Sequence, residues 1–204
     1  STEDTPFVLA YHQPGSTEYS AVSVDNRAGM ALATRYLLDA GHRRIGMVAG
    51  PTLQSDRARQ RYAGYCDAMA EHRLNAMAII EMPSHTEADF SALAPLLSGP
   101  HAPTALVCSN DLLAISLIAE LRRHGWAVPE QLSIIGFDGI AIGTQMHPTL
   151  CSVVQPIAAL ATTVIDQLLA QIAGAAPTSH CLPCHIRPGE STQPYEETLH
   201  DPLQ

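Results

Sequence analysis

The chain has 204 residues, with 20 acidic and 11 basic side chains, a net charge of −9 and 46% hydrophobic residues. This composition excludes intrinsic disorder and collagen-like structure, and the length suits one α/β domain or two small lobes that share a crossing chain. Every one of the 11 basic residues is arginine, and the pI near 5.4 leaves too little positive charge to coat a nucleic-acid backbone. A free-standing DNA-binding protein is therefore excluded.

The sequence also indicates a cellular compartment. No run approaches the roughly 18 apolar residues that a membrane-spanning helix needs. The first residues, Ser1-Thr-Glu-Asp-Thr-Pro6, are polar and acidic, unlike the basic and then apolar start of a signal peptide. Five cysteines are an odd number for a disulfide framework. We therefore expect a cytoplasmic protein that has no membrane partner.

Short apolar runs alternate with segments of helical spacing, which is typical of a parallel sheet with crossover helices. In chain order, the pattern predicts strands at 7–10 and 21–24, a helix from 25 or 26 to 41, a strand at 45–49, a helix at 57–72, a strand at 77–80, a helix near 91–97, a strand at 105–108, a helix from about 113 to 125, strands at 132–136 and 150–154, a helix after Pro156 and a short strand at 182–186.

Polar side chains follow several of the predicted strands. In an open doubly wound sheet the ligand binds outside the carboxyl ends of the strands, so these side chains are expected to share one crevice. Arginine, amide and carboxylate groups together suit a ligand rich in hydroxyls or ring nitrogens. We find no phosphate loop, no paired catalytic carboxylates and no nucleophile–base pair. We therefore expect that the protein is not an enzyme. The residues at these strand ends are Tyr11, His12, Ser55, Arg57, Arg61, Phe90, Asn110, Asp111 and Asp138.

An ordered set of short motifs runs from Pro6 to Thr192. The set resembles the effector domains of lactose-repressor-type (LacI/GalR) bacterial transcription regulators, which have the type I periplasmic-binding-protein fold. The motifs are Val24-Asp-Asn-Arg-Ala-Gly29, Leu38-Asp-Ala-Gly41-His-Arg-Arg-Ile45, Arg61-Tyr-Ala-Gly-Tyr65, Ser109-Asn-Asp111, Val128-Pro-Glu130, Ser133-Ile-Ile-Gly-Phe-Asp138, Pro148-Thr-Leu150, Val154-Gln-Pro156 and Arg187-Pro-Gly-Glu-Ser-Thr192.

The resemblance implies roles for individual residues. It makes Arg61, Asn110 and Asp138 the polar anchors of a small effector, and Phe90 an aromatic wall that stacks on it. Ser55 and Arg57 match a segment that varies with the ligand.

The resemblance also implies contacts from a second lobe. Tyr11 or His12 stands where the family often has an acidic residue, and this departure leaves the class of effector open. Gln155 is a further candidate from that lobe.

The resemblance implies an α/β fold with a doubly wound parallel sheet and two lobes. Residues 26–153 are expected to form a complete C-terminal lobe, and residues 1–25 and 154–192 the remnant of an N-terminal lobe. Residues 193–204 are expected to be a loosely packed tail. The match begins in the middle of the family's effector domain, so we expect an N-terminally truncated chain from which the DNA-binding helix-turn-helix is absent.

The function that follows is that of an effector-sensing domain of a LacI-family regulator, most simply a repressor. A sugar, a purine or a related polar metabolite would bind between the lobes and alter DNA binding by the absent helix-turn-helix. A homodimer is implied, because paired DNA-binding heads read half-sites related by two-fold symmetry. The alternative is the periplasmic sugar-binding component of a transporter, which shares the fold.

Simpler explanations exist for some of these residues. Asp138 precedes a glycine and could be a turn residue. Of Asn110 and Asp111, we expect Asp111 to cap the following helix and Asn110 to face the crevice.

The segment His180-Cys-Leu-Pro-Cys184-His185 contains a Cys-x-x-Cys-His pattern, which is compatible with haem attachment, and its two Cys and two His could also bind zinc. Haem attachment requires an exported chain. Adjacent residues of a strand point to opposite faces, which opposes closure on one zinc ion. We therefore expect no cofactor and no metal.

Overall fold

The structure, a computed structural model, describes residues 5–12, 18–53 and 55–196. The chain forms two compact units. The smaller unit comprises the described residues up to Asp25 together with Gln155–Cys184, and the larger unit comprises Asn26–Val154 and the described residues from His185 onward. Among the described residues, no helix is both long enough and apolar enough to cross a membrane.

The larger unit is a six-stranded sheet with helices between its strands. Its elements are α1 (Asn26–Asp39), β3 (Ile45–Ala49), α2 (Asp56–Glu71), β4 (Ile80–Glu81), α3 (Phe90–Leu97), β5 (Ala105–Cys108), α4 (Asp111–Arg123), β6 (Ser133–Asp138), a 3-10 helix (Ala141–Thr144), β7 (Cys151–Val154) and β9 (His185–Arg187). The strand order is β4-β3-β5-β6-β7-β9, with parallel neighbours except for the antiparallel pair β7 and β9.

Side chains before the first turn fix where two of these helices begin. Ser55 Oγ accepts a hydrogen bond from the Ala58 N–H (3.2 Å), and Asn110 Oδ1 accepts one from the Leu113 N–H (2.9 Å). The expectation that Asp111 caps α4 is therefore wrong. Asn110 has the extended backbone of an N-cap, with φ −160° and ψ 166°, whereas Asp111 is the first helical residue.

The core of the larger unit lies between the sheet and its helices. It is built from fully buried aliphatic side chains of the central strands, of α3 and α4 and of the residue before β6. Strands that are covered on both faces are apolar along their whole length. The members include Val48, Leu93, Leu106, Leu113, Leu117, Ile118, Leu121, Leu132 and Ile134.

The smaller unit has three described parallel strands, β1 (Val8–Ala10), β2 (Ser20–Val24) and β8 (His180–Leu182), in the order β1-β2-β8. Helix α5 (Ile157–Ile172) packs on them. The buried cluster of this unit consists of Val22, Val24 and Leu160.

The structure differs from the expected lobe boundaries at the C-terminal side. Val154 belongs to β7, and β9 pairs with β7 in the larger unit, with Ser152 opposite Arg187. The single strand expected at 182–186 is two strands, β8 and β9, which belong to different sheets. Such pairings join residues far apart in the chain, and local sequence does not specify them.

The expectation of a loosely packed tail from Gln193 is wrong for its first residues. The Tyr195 N–H donates to the Ala40 carbonyl (2.7 Å), and the Tyr195 ring stacks on His42 with 5.3 Å between centroids. The Gln193 carbonyl lies 3.1 Å from His42 Nε2, and the burial of His42 lowers its pKa. The remainder of the tail, residues 197–204, lies outside the described residues.

Strand β4 is shorter than the predicted strand at 77–80, because the Met77 N–H donates to the Tyr65 hydroxyl (2.7 Å) and not to a neighbouring strand. All five cysteines are free thiols. Among the described residues, no group of three or more His, Cys, Asp or Glu side chains is arranged to hold a metal ion.

Candidate functional site

A cavity of about 310 Å³ opens at the carboxyl ends of β3, β5 and β6, entirely within the larger unit. We call it the strand-end cavity. Polar loops and the first turns of α2 and α4 meet there, because parallel strands direct their carboxyl ends to one edge of the sheet. The lining residues are Ser55, Arg57, Ala58, Arg61, His85, Thr86, Ser109, Asn110, Leu112 and Asp138.

Arg61, on α2, lines the cavity although only 5% of the residue is exposed. Its Nε donates to Asn26 Oδ1 (2.8 Å), and its Nη1 donates to the Ser109 carbonyl. Its guanidinium carbon lies 3.7 Å from the centroid of the Phe137 ring. These partners fix the guanidinium plane in one orientation, since its donors form a rigid fork.

Asp138 completes the arrangement. Its Oδ1 lies 3.2 Å from Arg61 Nη2, and its side chain is 32% exposed while that of Arg61 is 6% exposed. The carboxylate therefore meets the arginine on one side and the cavity on the other. Asp138 has a φ of 115°, and Gly139 follows with a φ of 74°. The backbone turns sharply where the carboxylate is presented, and positive φ is unusual for a residue with a side chain.

Asn110 both lines the cavity and holds two elements together. While its Oδ1 caps α4, its Nδ2 donates to the His85 carbonyl (2.8 Å). A side chain with both groups engaged is held in one orientation. The expected role of Asn110 at the crevice and the helix-capping role thus fall on the same residue.

Asp111, next in the chain, is fully buried and does not line the cavity. It accepts hydrogen bonds from the Ile140 N–H (2.8 Å) and from Ser152 Oγ (2.6 Å). Burial raises its pKa to about 6, against the opposite effect of these two hydrogen bonds.

The start of α2 brings two further polar side chains to the cavity. Ser55 caps the helix, and the exposed Arg57 lines the cavity. Arg59 does not line it, and its guanidinium pairs with Asp56 and donates to the Leu53 carbonyl (2.8 Å).

A model of the periplasmic binding protein-like domain family matches residues 34–192, which include every residue that lines the cavity. The chain belongs to this family. The expected α/β fold is thereby confirmed. Similarity to a curated repressor and to solved LacI family regulators confirms the resemblance to effector domains of LacI-type regulators.

Curated relatives of this periplasmic binding protein-like chain include the HTH-type transcriptional repressor PurR of Salmonella paratyphi B. It is 30% identical over 185 residues, which cover 89% of this chain and 54% of the repressor. The chain therefore spans about half the length of the curated relatives that it matches.

Solved structures of similar proteins include a LacI family transcriptional regulator from Enterococcus faecium with bound ribose. It has a TM-score of 0.83 and 27% identity, and the match covers 94% of this chain and 71% of that one. A periplasmic binding protein/LacI transcriptional regulator from Alkaliphilus metalliredigens, complexed with D-xylulofuranose, has a TM-score of 0.81 and 26% identity, with 93% and 71% covered.

Within this family member, Phe90 is not among the residues that line the strand-end cavity. It is the first residue of α3 and packs against the core. Its ring stacks on His124 at 3.9 Å between centroids, with the planes 5° apart. The aromatic ring next to the polar anchors is that of Phe137, beneath Arg61.

Tyr11, His12 and Gln155 belong to the smaller unit. Tyr11 and His12 are exposed, and Tyr11 has a φ of 62° with its N–H donating to the Val22 carbonyl (2.8 Å). Their contact with an effector stays a prediction.

Five of the residues that line the cavity are absent from the sequence-based candidates: Ala58, His85, Thr86, Ser109 and Leu112. A signal for His85 exists at Gly50, where a Cβ would lie 2.4 Å from His85 Nδ1. The glycine after β3 leaves room for the imidazole, but one sequence does not reveal which side chain fills that room.

Proposed function

We propose that this chain is the effector-sensing part of a LacI-family transcription regulator, most simply a repressor, and that it binds a small hydroxyl-rich molecule in the strand-end cavity. Its relatives include a repressor and several regulators, which favours this role over that of a transporter component. The proposed role is binding without chemical conversion, in the cytoplasm where transcription takes place.

The observation that carries the proposal is the Arg61–Asp138 pair at the cavity. Arg61 is held by Asn26 and the Ser109 carbonyl, so it does not have to be ordered when a ligand arrives. Asp138 presents an acceptor beside it. A vicinal pair of hydroxyl groups, or a ring bearing donors and acceptors, would satisfy both at once.

The remaining parts of the proposal concern regulation. An effector shifts a conformational equilibrium only by the difference in its affinity for the two states. We propose that this shift alters DNA binding by a helix-turn-helix in the remainder of a longer protein, which functions as a homodimer on two-fold related half-sites.

A thermal-shift screen of pentoses, hexoses, purines and small acids, followed by calorimetry of each compound that binds, tests the site. We expect Asp138→Asn to weaken the affinity of a binding compound about tenfold or more, since a hydrogen bond to a charged group is lost. Arg61→Lys should weaken it similarly, because an ammonium does not reproduce the fork. Asp39→Asn, at an exposed helix end, is the control.

Wild-type affinity in the Asp138→Asn variant, with unchanged circular dichroism, would contradict the site. A screen in which no compound raises the melting temperature would contradict the effector-sensing role itself.

DNA binding is tested separately. With a net charge of −9, the 204-residue chain is expected to give no salt-dependent shift of DNA in a gel assay. A shift would place the DNA-binding surface in this chain and contradict the proposed division of labour.

A further inference from the structure

The turn that carries Asp138 is held from two sides by residues that do not line the cavity. Residues 138 and 139 both have positive φ, at 115° and 74°. A conformation of this kind persists only where its surroundings determine it. The polar groups of the peptide units that follow therefore need specific partners.

The N–H groups of the turn are satisfied by Asp111. The Ile140 N–H donates to Asp111 Oδ2 (2.8 Å). The Gly139 N–H donates to Ser152 Oγ (3.1 Å), whose hydroxyl in turn donates to Asp111 Oδ1 (2.6 Å). The buried carboxylate of Asp111 thus accepts from the Ile140 N–H directly and is linked to the Gly139 N–H through Ser152.

The carbonyl groups of the same two residues are satisfied by Arg187. Its Nη1 donates to the Gly139 carbonyl (3.0 Å) and its Nη2 to the Ile140 carbonyl (3.3 Å). A lysine ammonium would lack this rigid two-pronged geometry.

The sheet has room for this arrangement. Gly136, Ser152 and Arg187 are register partners on the adjacent strands β6, β7 and β9. A Cβ on Gly136 would lie 2.1 Å from Asp111 Oδ1, and one on Gly143 would lie 3.2 Å from Arg187 Nη2. The Asp111 carboxylate therefore occupies space that exists only because residue 136 has no side chain.

We infer that Asp111 and Arg187 are positioning residues, which clamp residues 138–140 in the conformation that presents the Asp138 carboxylate to Arg61 and to the strand-end cavity. The inference rests on the proposed function for its consequence, which is effector affinity. The clamp itself is a property of the unliganded chain and can be measured without an effector.

Residue-resolved amide hydrogen exchange by NMR tests the clamp. Asp111→Asn is expected to accelerate exchange at Gly139 and Ile140 about tenfold or more relative to wild type, while β5 amides keep their protection. Ser152→Ala removes only the link to Gly139, so Gly139 alone should accelerate. Asp56→Asn is the matched control, since Asp56 is also an acid at the first position of a helix.

The second arm measures affinity for the compound selected by the screen described above. Asp111→Asn and Arg187→Lys should each weaken it about threefold to tenfold, with no loss of circular dichroism.

Unchanged exchange at Gly139 and Ile140 in Asp111→Asn would overturn the clamp, whether or not any compound binds. Accelerated exchange with unchanged affinity would overturn the positioning role and leave the proposed function intact. If wild type binds no compound while exchange accelerates as expected, the clamp stands and the effector-sensing role fails.

Discussion

The two units of the chain differ in how completely their apolar side chains are covered. In the larger unit, helices cover the sheet and residues such as Leu117 and Ile134 are fully buried. In the smaller unit, the described residues supply three strands and one helix, and Ile165 and Leu169 on that helix are 56% and 58% exposed. An amphipathic pattern makes a helix in both units, but the depth of a core depends on how many layers pack around it.

The largest expected effect of a single core truncation lies in the larger unit. Leu117→Ala removes a fully buried side chain from the core cluster of this unit and should lower the free energy of unfolding by about 3 to 5 kcal/mol. Urea unfolding followed by the fluorescence of Trp126, the single tryptophan, which packs against this cluster, measures it. A loss below about 1 kcal/mol would mean that the core is loosely packed and would remove the contrast between the units.

The larger unit also encloses the carboxylate of Asp111, and the effect of this group on the free energy of unfolding depends on pH. Burial raises the pKa of Asp111 to about 6 from 3.8, so between these values the folded chain keeps a proton that the unfolded chain has released. The contribution of this group to stability therefore grows as the pH falls from about 6 to about 4. The charged or titratable neighbours are Asp138, which raises the pKa, Arg187, which lowers it, and Cys108.

Asp111→Asn removes this dependence. The difference in unfolding free energy between wild type and variant should change by about 2 to 3 kcal/mol between pH 7 and pH 4, with wild type gaining relative to the variant toward low pH. Urea unfolding at several pH values measures the difference, so that surface carboxylates common to both proteins cancel. A parallel pair of pH profiles would show that Asp111 is not buried in solution.

The same leucine truncation in the smaller unit should cost less. Leu160 is 4% exposed and belongs to a buried cluster of three residues, so Leu160→Ala should cost about 2 kcal/mol, the low end for a buried leucine. Amide exchange in β2 reports on this unit. Trp126 belongs to the larger unit. The urea midpoint followed by its fluorescence should therefore shift less than it does in Leu117→Ala. Equal losses for Leu117→Ala and Leu160→Ala would contradict the difference in core depth.

The sequence predicted the elements that local chemistry determines. Apolar runs such as 45–49 and 105–108 gave strands, and helical spacing after Ser55 gave α2. The resemblance, with the rule that ligands bind at strand ends, led to Arg61, Asn110 and Asp138, which line one cavity in the structure. Their contact with an effector stays a prediction.

Local sequence could not decide which of two chemically similar residues takes a given role. Nor could it decide which distant segments of the chain come into contact. Asn110 and Asp111 are both good N-caps, and only the packing of Asp111 against Ser152 and Ile140 assigns the cap to Asn110. Phe90 was expected at the ligand, but its stacking on His124 depends on how α3 and α4 meet. The pairing of β7 with β9 likewise joins segments more than thirty residues apart.

The smallest effect is expected on the outer face of α5. Leu169 is 58% exposed, so Leu169→Gln should change the free energy of unfolding by less than about 0.5 kcal/mol, because little apolar surface leaves or enters water. Urea unfolding at two protein concentrations, tenfold apart, measures it. A larger loss that grows with protein concentration would show that a second chain covers this face in solution. The exposure of Leu169, and with it the thin core of the smaller unit, would then be a property of the monomer alone.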